Sequence, residues 1–373
     1  MEILYHGIDL HSNNFKLHFI HQKDGIISNR GERPIYNAEL EKKFIPMLTK
    51  NDYVCVEAST GSFAFANKIR PFVKSVKVIN PHDFKSIYLS GKKTDKIDAL
   101  KLAECLFAHV QNKELNFKDS FPEIYIPKQE IIELRSLFSS YELFKRQKTS
   151  LTNRIHSLIK QQFIPYQSTY LEKEIKRIRA EQLLNPVFDK QIEIFETQIT
   201  HLETEMKRIK EMIKELAYKH LKNEISILMS IMGISFFTAS AVMADIADIN
   251  RFRKAKELCS YLRAGMRIDS SNRIKHVGKL NKRSRKLAFC MILQGLNHMV
   301  NYNAAYEDFK LRKTKGKSAG KVRCALVRKT IVAIFYMLRN KELWKYRNQD
   351  TYEKKLKEME REIKKIEKEK QSA

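Results

Sequence analysis

The sequence predicts an α/β N-terminal domain, a long α-helical coiled-coil middle and a mostly α-helical C-terminal domain. Three observations carry this expectation. Short apolar strands alternate with helical stretches up to about residue 126, apolar residues then recur in steps of three and four, and small apolar residues return beyond 223.

Residues 3–9 read as a strand, 15–21 alternate polar and apolar as a second, and 25–27 begin a third. Residues 53–57 and 73–79 add two more strands, with helical segments between them. A hairpin meander followed by strand-helix alternation is the order of an RNase H-like sheet, in which acids stand at neighbouring strand ends. Asp9 closes one apolar strand and Glu57 another. In Lys93-Thr94-Asp95-Lys96-Ile97-Asp98-Ala99 a helix places the two aspartates, three apart, on one face. Either strand-end acid taken singly reads as an ordinary solvated carboxylate. Together the four are an oxygen-rich set of the kind that binds Mg²⁺ beside phosphate oxygens, and paired metals clamp the attacking and leaving oxygens of a phosphoryl transfer.

From about residue 130 the period is helical. Leu134, Leu137, Tyr141, Phe144, Leu151, Ile155 and Leu158 form one stripe, which Pro165 closes. Phe188, Ile192, Phe195, Ile199, Leu202, Met206, Ile209, Ile213 and Leu216 form a longer one. Several heptads with charged flanks argue for a coiled coil, either an antiparallel hairpin within the chain or a seam that builds a homo-oligomer, dimer or tetramer. A plain helical spacer accounts for the same heptads.

Residues 227–235 and 238–244 read as a helix, a turn holding Gly233 and a second helix. Such helix-hairpin-helix modules engage DNA backbone through amides at the turn. A basic run follows: Arg263, Arg267, Arg273, Lys275, Lys279, Lys282, Arg283, Arg285 and Lys286, with Ser270 and Ser271 embedded in it. Lys315, Lys317 and Lys321 form a second basic stretch. Both are candidate nucleic-acid contacts. Residues 353–371, nearly all Lys and Glu, read as a solvated helix or frayed tail. The expected domains are 1–126, 127–222, 223–348 and a charged tail, 349–373.

Composition agrees with a polyanionic partner. Seventy Lys and Arg against 43 Asp and Glu leave a formal charge of +27 in 373 residues, and each phosphate neutralised by such a surface releases counterions. No apolar run reaches the length of a membrane-spanning helix, and Met1-Glu2-Ile3-Leu4-Tyr5-His6 lacks the features of a signal peptide. The expected location is cytoplasmic, with no membrane partner. Cys55, Cys105, Cys259, Cys290 and Cys324 lack metal-ligand spacing and read as reduced, mostly core residues.

At this point the chain resembles, over nearly its whole length, the insertion-sequence transposases that carry a DEDD tetrad in a RuvC-like fold. That group includes the Piv and MooV DNA invertases and the bridge-RNA-guided recombinases. Gly7-Ile8-Asp9-Leu10-His11 looks like the family's first acid, Val56-Glu57-Ala58-Ser59-Thr60-Gly61 its second, and Asp95 and Asp98 its last two. Met232-Gly233-Ile234, Asp248, Phe252 and Tyr261-Leu262-Arg263-Ala264-Gly265 look like the start of its C-terminal transposase domain, and Lys315-Gly316-Lys317 with Ala325 and Arg328-Lys329 look like its end.

The resemblance implies a DNA transposase or site-specific recombinase of bacterial or archaeal origin. Its tetrad Asp9, Glu57, Asp95 and Asp98 would bind Mg²⁺, and Ser271, with Ser270 as alternate, would be the nucleophile. It also implies donor and target DNA and a structured, non-coding bridge RNA as partners. The chain departs from the family at Asn272, which replaces a glycine, in a short spacer between Gly265 and the serines, and in lacking a glycine near Lys282-Arg283-Ser284. Asn tolerates a left-handed backbone better than most residues. Two other readings fit the same residues: a RuvC-type junction nuclease that uses water, and a derivative that binds nucleic acid without chemistry.

Overall fold

The computed structural model describes residues 2–24, 26–31, 34–81, 95–111, 121, 123–271, 274–280 and 284–371, leaving out the side chains of 95–96 and 266–279. It divides into two compact units, Met1–Gln129 and Glu130–Ala373.

The first unit is built on a mixed sheet. β1 (Glu2–Leu10), β2 (Asn14–Lys23) and β3 (Ile26–Gly31) form the expected meander, and β4 (Ile35–Tyr36) pairs with β2. β5 (Tyr53–Glu57) lies parallel to β1, β6 (Ser75–Ile79) lies parallel to β5, and β7 (Glu123–Ile124) closes antiparallel on β6. The sheet order is β3-β2-β1-β5-β6-β7. Strand alternation sends two sets of side chains to opposite faces. Ile8, Val54, Val56 and Val78 pack with Phe65, Ala66 and Ile69 of α1 (Ser62–Ile69) on one face. Tyr5, Cys55 and Ile79 pack with Leu102, Ala103 and Leu106 of α2 (Asp95–Gln111) on the other.

Gly7 sets the distance between β1 and α2. A Cβ there would collide with the Ala99 carbonyl oxygen and the Ala103 amide nitrogen, so backbone rests on backbone. The Tyr5 ring meets Phe107 edge-on at 5.0 Å, and Gln111 Nε2 donates to the Tyr5 hydroxyl at 2.9 Å. Helix residues of higher number thus lie beside strand residues of lower number, and α2 runs antiparallel to β1.

The second unit begins with α3 (Gln129–Gln161), α4 (Leu171–Ala180) and α5 (Pro186–Met229). Asn185 caps α5 by accepting from the Val187 amide at 2.9 Å, with Pro186 at the first helical position. Ile155, Leu158 and Ile159 of α3 share a core with Ile192, Phe188 and Phe195 of α5, while Leu134 and Phe138 share one with Ile213 and Ala217. Lys148 bridges to Glu203 at 2.6 Å between those two clusters. The two stripes therefore pack on each other as an antiparallel pair within the chain.

The remaining elements are α6 (Phe236–Ile246), α7 (Ala255–Tyr261), the hairpin β8 (Met266–Ser271) and β9 (Ile274–Leu280), α8 (Leu287–Asn301), α9 (Ala304–Thr314), α10 (Ala319–Asn340) and α11 (Gln349–Gln371). Three expectations need correction here. The helical middle and the C-terminal domain are one unit, because Leu134, Phe138, Ile213 and Ala217 share a core with residues of α6, α8 and α10. Nor are residues 349–371 solvated throughout, although the helix that one of the two expected readings gave is present. They form α11, whose Tyr352, Met359, Ile363 and Ile366, at helical spacing, are buried in the same core. Cys290, expected among core thiols, is exposed. None of the described helices is long and apolar enough to cross a membrane.

Candidate active site

β1 and β5 run parallel with Ile8 opposite Val56, so Asp9 and Glu57 are the next residues of adjacent strands. Neighbouring strands lie about 4.8 Å apart. Asp9 follows Tyr5 and Gly7 in the alternation and Glu57 follows Cys55, which puts both acids on the face that α2 covers.

The level of Asp9 along α2 follows from Gly7, which rests between Ala99 and Ala103. Two strand residues span about 6.6 Å, a length α2 covers in about four residues at roughly 1.5 Å each. That level falls near residues 96–97, between Asp95 and Asp98. The N-terminal turn of α2 and the two strand ends are thus neighbours in space. Asp9, Glu57 and Asp98 are each half-buried. The side chain of Asp95 lies outside the described residues, as do Lys93 and Thr94 of the same motif.

Among the described residues no group of three or more His, Cys, Asp or Glu is placed to hold a metal ion. The donor chemistry nonetheless fits a hard divalent cation, since the described members of the tetrad are all carboxylates and Asp95 stands at the same level.

One residue of this site was not singled out from sequence. His11 Nε2 lies 3.3 Å from Asp9 Oδ2. The imidazole is held there by the turn into β2, in which the His11 amide donates to Asn14 O at 2.9 Å and Asn37 Nδ2 donates to His11 O at 3.1 Å. A histidine two residues past a strand-end acid is the sequence signal, and it places an imidazole nitrogen beside the first carboxylate.

In the second unit, α5, a turn and α6 form the expected helix-turn-helix. Gly233 takes φ +84°, and a Cβ on it would press on Gly295 O at 2.6 Å, so α8 backs the turn directly. Ser235 caps α6, its Oγ accepting from the Thr238 amide at 3.2 Å.

Asp245, near the end of α6, is buried. It accepts from Arg285 Nε at 2.6 Å and from the Ala288 amide at 2.9 Å. Arg135 Nε donates to Ala244 O at 2.7 Å, and Arg251 Nε to Ile246 O at 3.1 Å. Three guanidiniums thus serve one helix C-terminus, where cations are favoured. Burial and then Arg285 lower the Arg135 guanidinium from its ordinary value, whereas the Arg285 guanidinium, which burial alone would lower, is raised by Asp245 and Tyr261 together. Asp245→Asn keeps an acceptor but removes the charge, and is expected to cost about 2 kcal/mol of stability. Urea unfolding should show a lower midpoint at unchanged slope.

The serines lie on the β8–β9 hairpin. Ser270 pairs with Lys275 and Ser271 with Ile274, which puts both beside the Asn272-Arg273 connection. Asn272, Arg273, Lys282 and Arg283 lie outside the described residues, as do the side chains of Ser270, Ser271, Arg267, Lys275 and Lys279. Of the other basic candidates, Arg263 is half-buried with a left-handed φ of 63° and Arg285 is tied to Asp245. Lys286, Lys315, Lys317 and Lys321 are exposed.

Comparison with known proteins converges on one group. Residues 7–164 match the DEDD domain model of IS110 elements, described as a transposase, and residues 225–310 match the model of the transposase IS116/IS110/IS902 family. The chain belongs to the IS110-type transposases. A probable family 20 transposase of Pseudomonas aeruginosa is 21% identical over 351 residues, covering 89% of this chain and 96% of that protein. The two matches reach into both units of this transposase without covering residues 165–224 or 311–373, and the DEDD match includes Asp9, Glu57, Asp95 and Asp98.

Proposed function

We propose that this transposase cuts and rejoins DNA at the ends of an insertion sequence, with an RNase H-like, RuvC-like first unit and a serine nucleophile from the second. The observation that carries the reading is the meeting of Asp9, Glu57 and the N-terminal turn of α2 at one end of the sheet.

In this reading Asp9, Glu57, Asp95 and Asp98 hold Mg²⁺, which when bound polarises the scissile phosphate and stabilises the leaving oxygen. His11 fixes the Asp9 carboxylate. The Ser271 oxygen forms a bond to phosphorus as the bond to the leaving DNA oxygen breaks. The serine proton passes to water, and the released DNA oxygen takes up a proton. Energy is conserved in the phosphoserine, so a second DNA hydroxyl reverses the step and rejoins a strand. Ser270 is the alternate nucleophile.

The exposed Lys286, Lys315, Lys317 and Lys321, together with Arg263, Arg267, Arg273, Lys275, Lys279, Lys282 and Arg283, grip nucleic-acid backbone without reading sequence, while Arg285 is held by Asp245. Donor and target DNA are selected by pairing with a structured bridge RNA, and two or four copies act together. A protein with net charge +27 suits that division of labour.

The test is a labelled DNA substrate incubated with Mg²⁺ and run on a denaturing gel before and after protease treatment. A protein-DNA adduct is expected from wild type and from Ser270→Ala but not from Ser271→Ala, because a methyl group has no oxygen to attack with. Cutting without an adduct would assign the chemistry to water and favour the junction nuclease. Loss of the adduct only in Ser270→Ala would move the nucleophile by one residue.

A further inference from the structure

The turn between α5 and α6 contains a charge that neither the acid cluster nor the basic surface uses. Lys355 of α11 points its ammonium inward and donates to three backbone carbonyls: Met229 O at 2.9 Å, Ile231 O at 3.0 Å and Ile234 O at 3.0 Å. All three oxygens come from six consecutive residues. Met229 is the last residue of α5, which kinks at Leu221, so its carbonyl is one that the end of the short segment after the kink leaves without an intrahelical partner, at the negative end of that segment's dipole.

An ammonium has three hydrogens, and here each meets an acceptor. Burial lowers the Lys355 amine to about 8, which leaves it a cation at neutral pH. A lysine on a surface helix ordinarily runs its stem along the apolar surface and leaves its charge in water. Lys355 does the opposite. What draws it in is a cluster of carbonyl oxygens focused on one point, the arrangement that elsewhere replaces the hydration shell of K⁺.

We propose that the carbonyls of Met229, Ile231 and Ile234 form a monovalent-cation site of ammonium or K⁺ size, which Lys355 fills as a tethered ion. A cavity of about 500 Å³ opens on the same turn, lined by Lys210, Lys214, His298, Glu358 and Glu362. Dissolved ions therefore have a route to the cage once the amine is removed. Filling the site from within makes the shape of the helix-turn-helix, with its left-handed Gly233, independent of the salt around it. It also makes that shape depend on α11. The inference rests on geometry within the second unit and stands apart from the proposed chemistry of the acids and serines.

The test is thermal unfolding of the full chain in KCl, LiCl or choline chloride at equal concentration. Wild type is expected to melt at the same temperature in KCl and choline chloride. Lys355→Met should melt about 5 °C higher in KCl than in choline chloride, saturably, with LiCl failing to substitute, as for a ligand that binds only the folded state. Crystals of this variant grown in RbCl should show an anomalous peak among the three carbonyl oxygens.

Equal melting of Lys355→Met in KCl and choline chloride would overturn the proposal. So would a wild type as K⁺-dependent as the variant. If Lys355→Met does not fold in KCl, Lys355→Ala, which leaves room for an ion and its water, is read in the same way. Failure of both variants to fold in KCl means that a dissolved ion does not replace the ammonium, and the proposal falls.

Discussion

If Asp9 holds the metal as proposed, Asp9→Asn is expected to slow DNA strand cleavage by about a thousandfold or more, since losing that carboxylate would remove several kcal/mol of transition-state charge stabilisation. Binding should survive. The substitution leaves all 70 Lys and Arg in place, so affinity for DNA or RNA keeps its steep dependence on salt. The fold should survive as well, because Asn and Asp are nearly the same size and Asp9 stands at a strand end with 18% of its side chain exposed. Cleavage and filter binding measured on one preparation separate the two effects. Wild-type cleavage by Asp9→Asn would remove the first acid from the site, and loss of binding with loss of cleavage would point to misfolding instead.

Gly7→Ala should be nearly as damaging, for a different reason. The added methyl group has no flexible side chain to push aside, since its neighbours are the carbonyl oxygen of Ala99 and the amide of Ala103. α2 must move away from β1 as a body. Overpacking of this kind costs about 1–3 kcal/mol, and backbone against backbone belongs at the upper end. The same shift carries Asp95 and Asp98 away from Asp9 and Glu57, and a misplacement of about 1 Å at a reacting centre is worth about a hundredfold in rate. Denaturant unfolding combined with cleavage assays would detect both losses. A Gly7→Ala protein with unchanged stability and rate would show that α2 does not rest on β1 as described.

The strands of the first unit were legible because half-buried strands alternate, and the acids were legible because they stand where the alternation stops. Their shared face was not. It depends on the pairing of Ile8 with Val56 and on α2 covering the Tyr5 and Cys55 side, facts of register that no local pattern contains. The place of His11 beside Asp9 is not legible in sequence, because it depends on the turn that returns the chain to β2.

The heptads of α3 and α5 were plain, yet their spacing is the same whether the stripe faces another helix of the chain, a second copy or a larger core. In the structure Leu134, Phe138, Ile213 and Ala217 join that larger core, which is why the expected boundary near 222 disappears. The burial of α11 is hard to read from sequence because its buried residues are sparse among lysines and glutamates. Tyr352, Met359, Ile363 and Ile366 mark a narrow apolar stripe, but composition outweighed spacing. Arg285 belongs to a run of cations whose members look alike in sequence, and only the buried Asp245, forty residues away, sets it apart.

The placement of α11 bears on how the protein is made. Leu134 from the first helix of the second unit and Ile366 from the last share one core, and Lys370 reaches Glu215 at 2.6 Å. The first unit has its sheet complete once β7 has left the ribosome and is free to fold while synthesis continues. The second unit must wait until its last helix emerges, holding the apolar stripes of α3 and α5 uncovered in the interval. A gene copy interrupted anywhere before the codons for α11 would therefore yield a folded first unit joined to an open, aggregation-prone remainder.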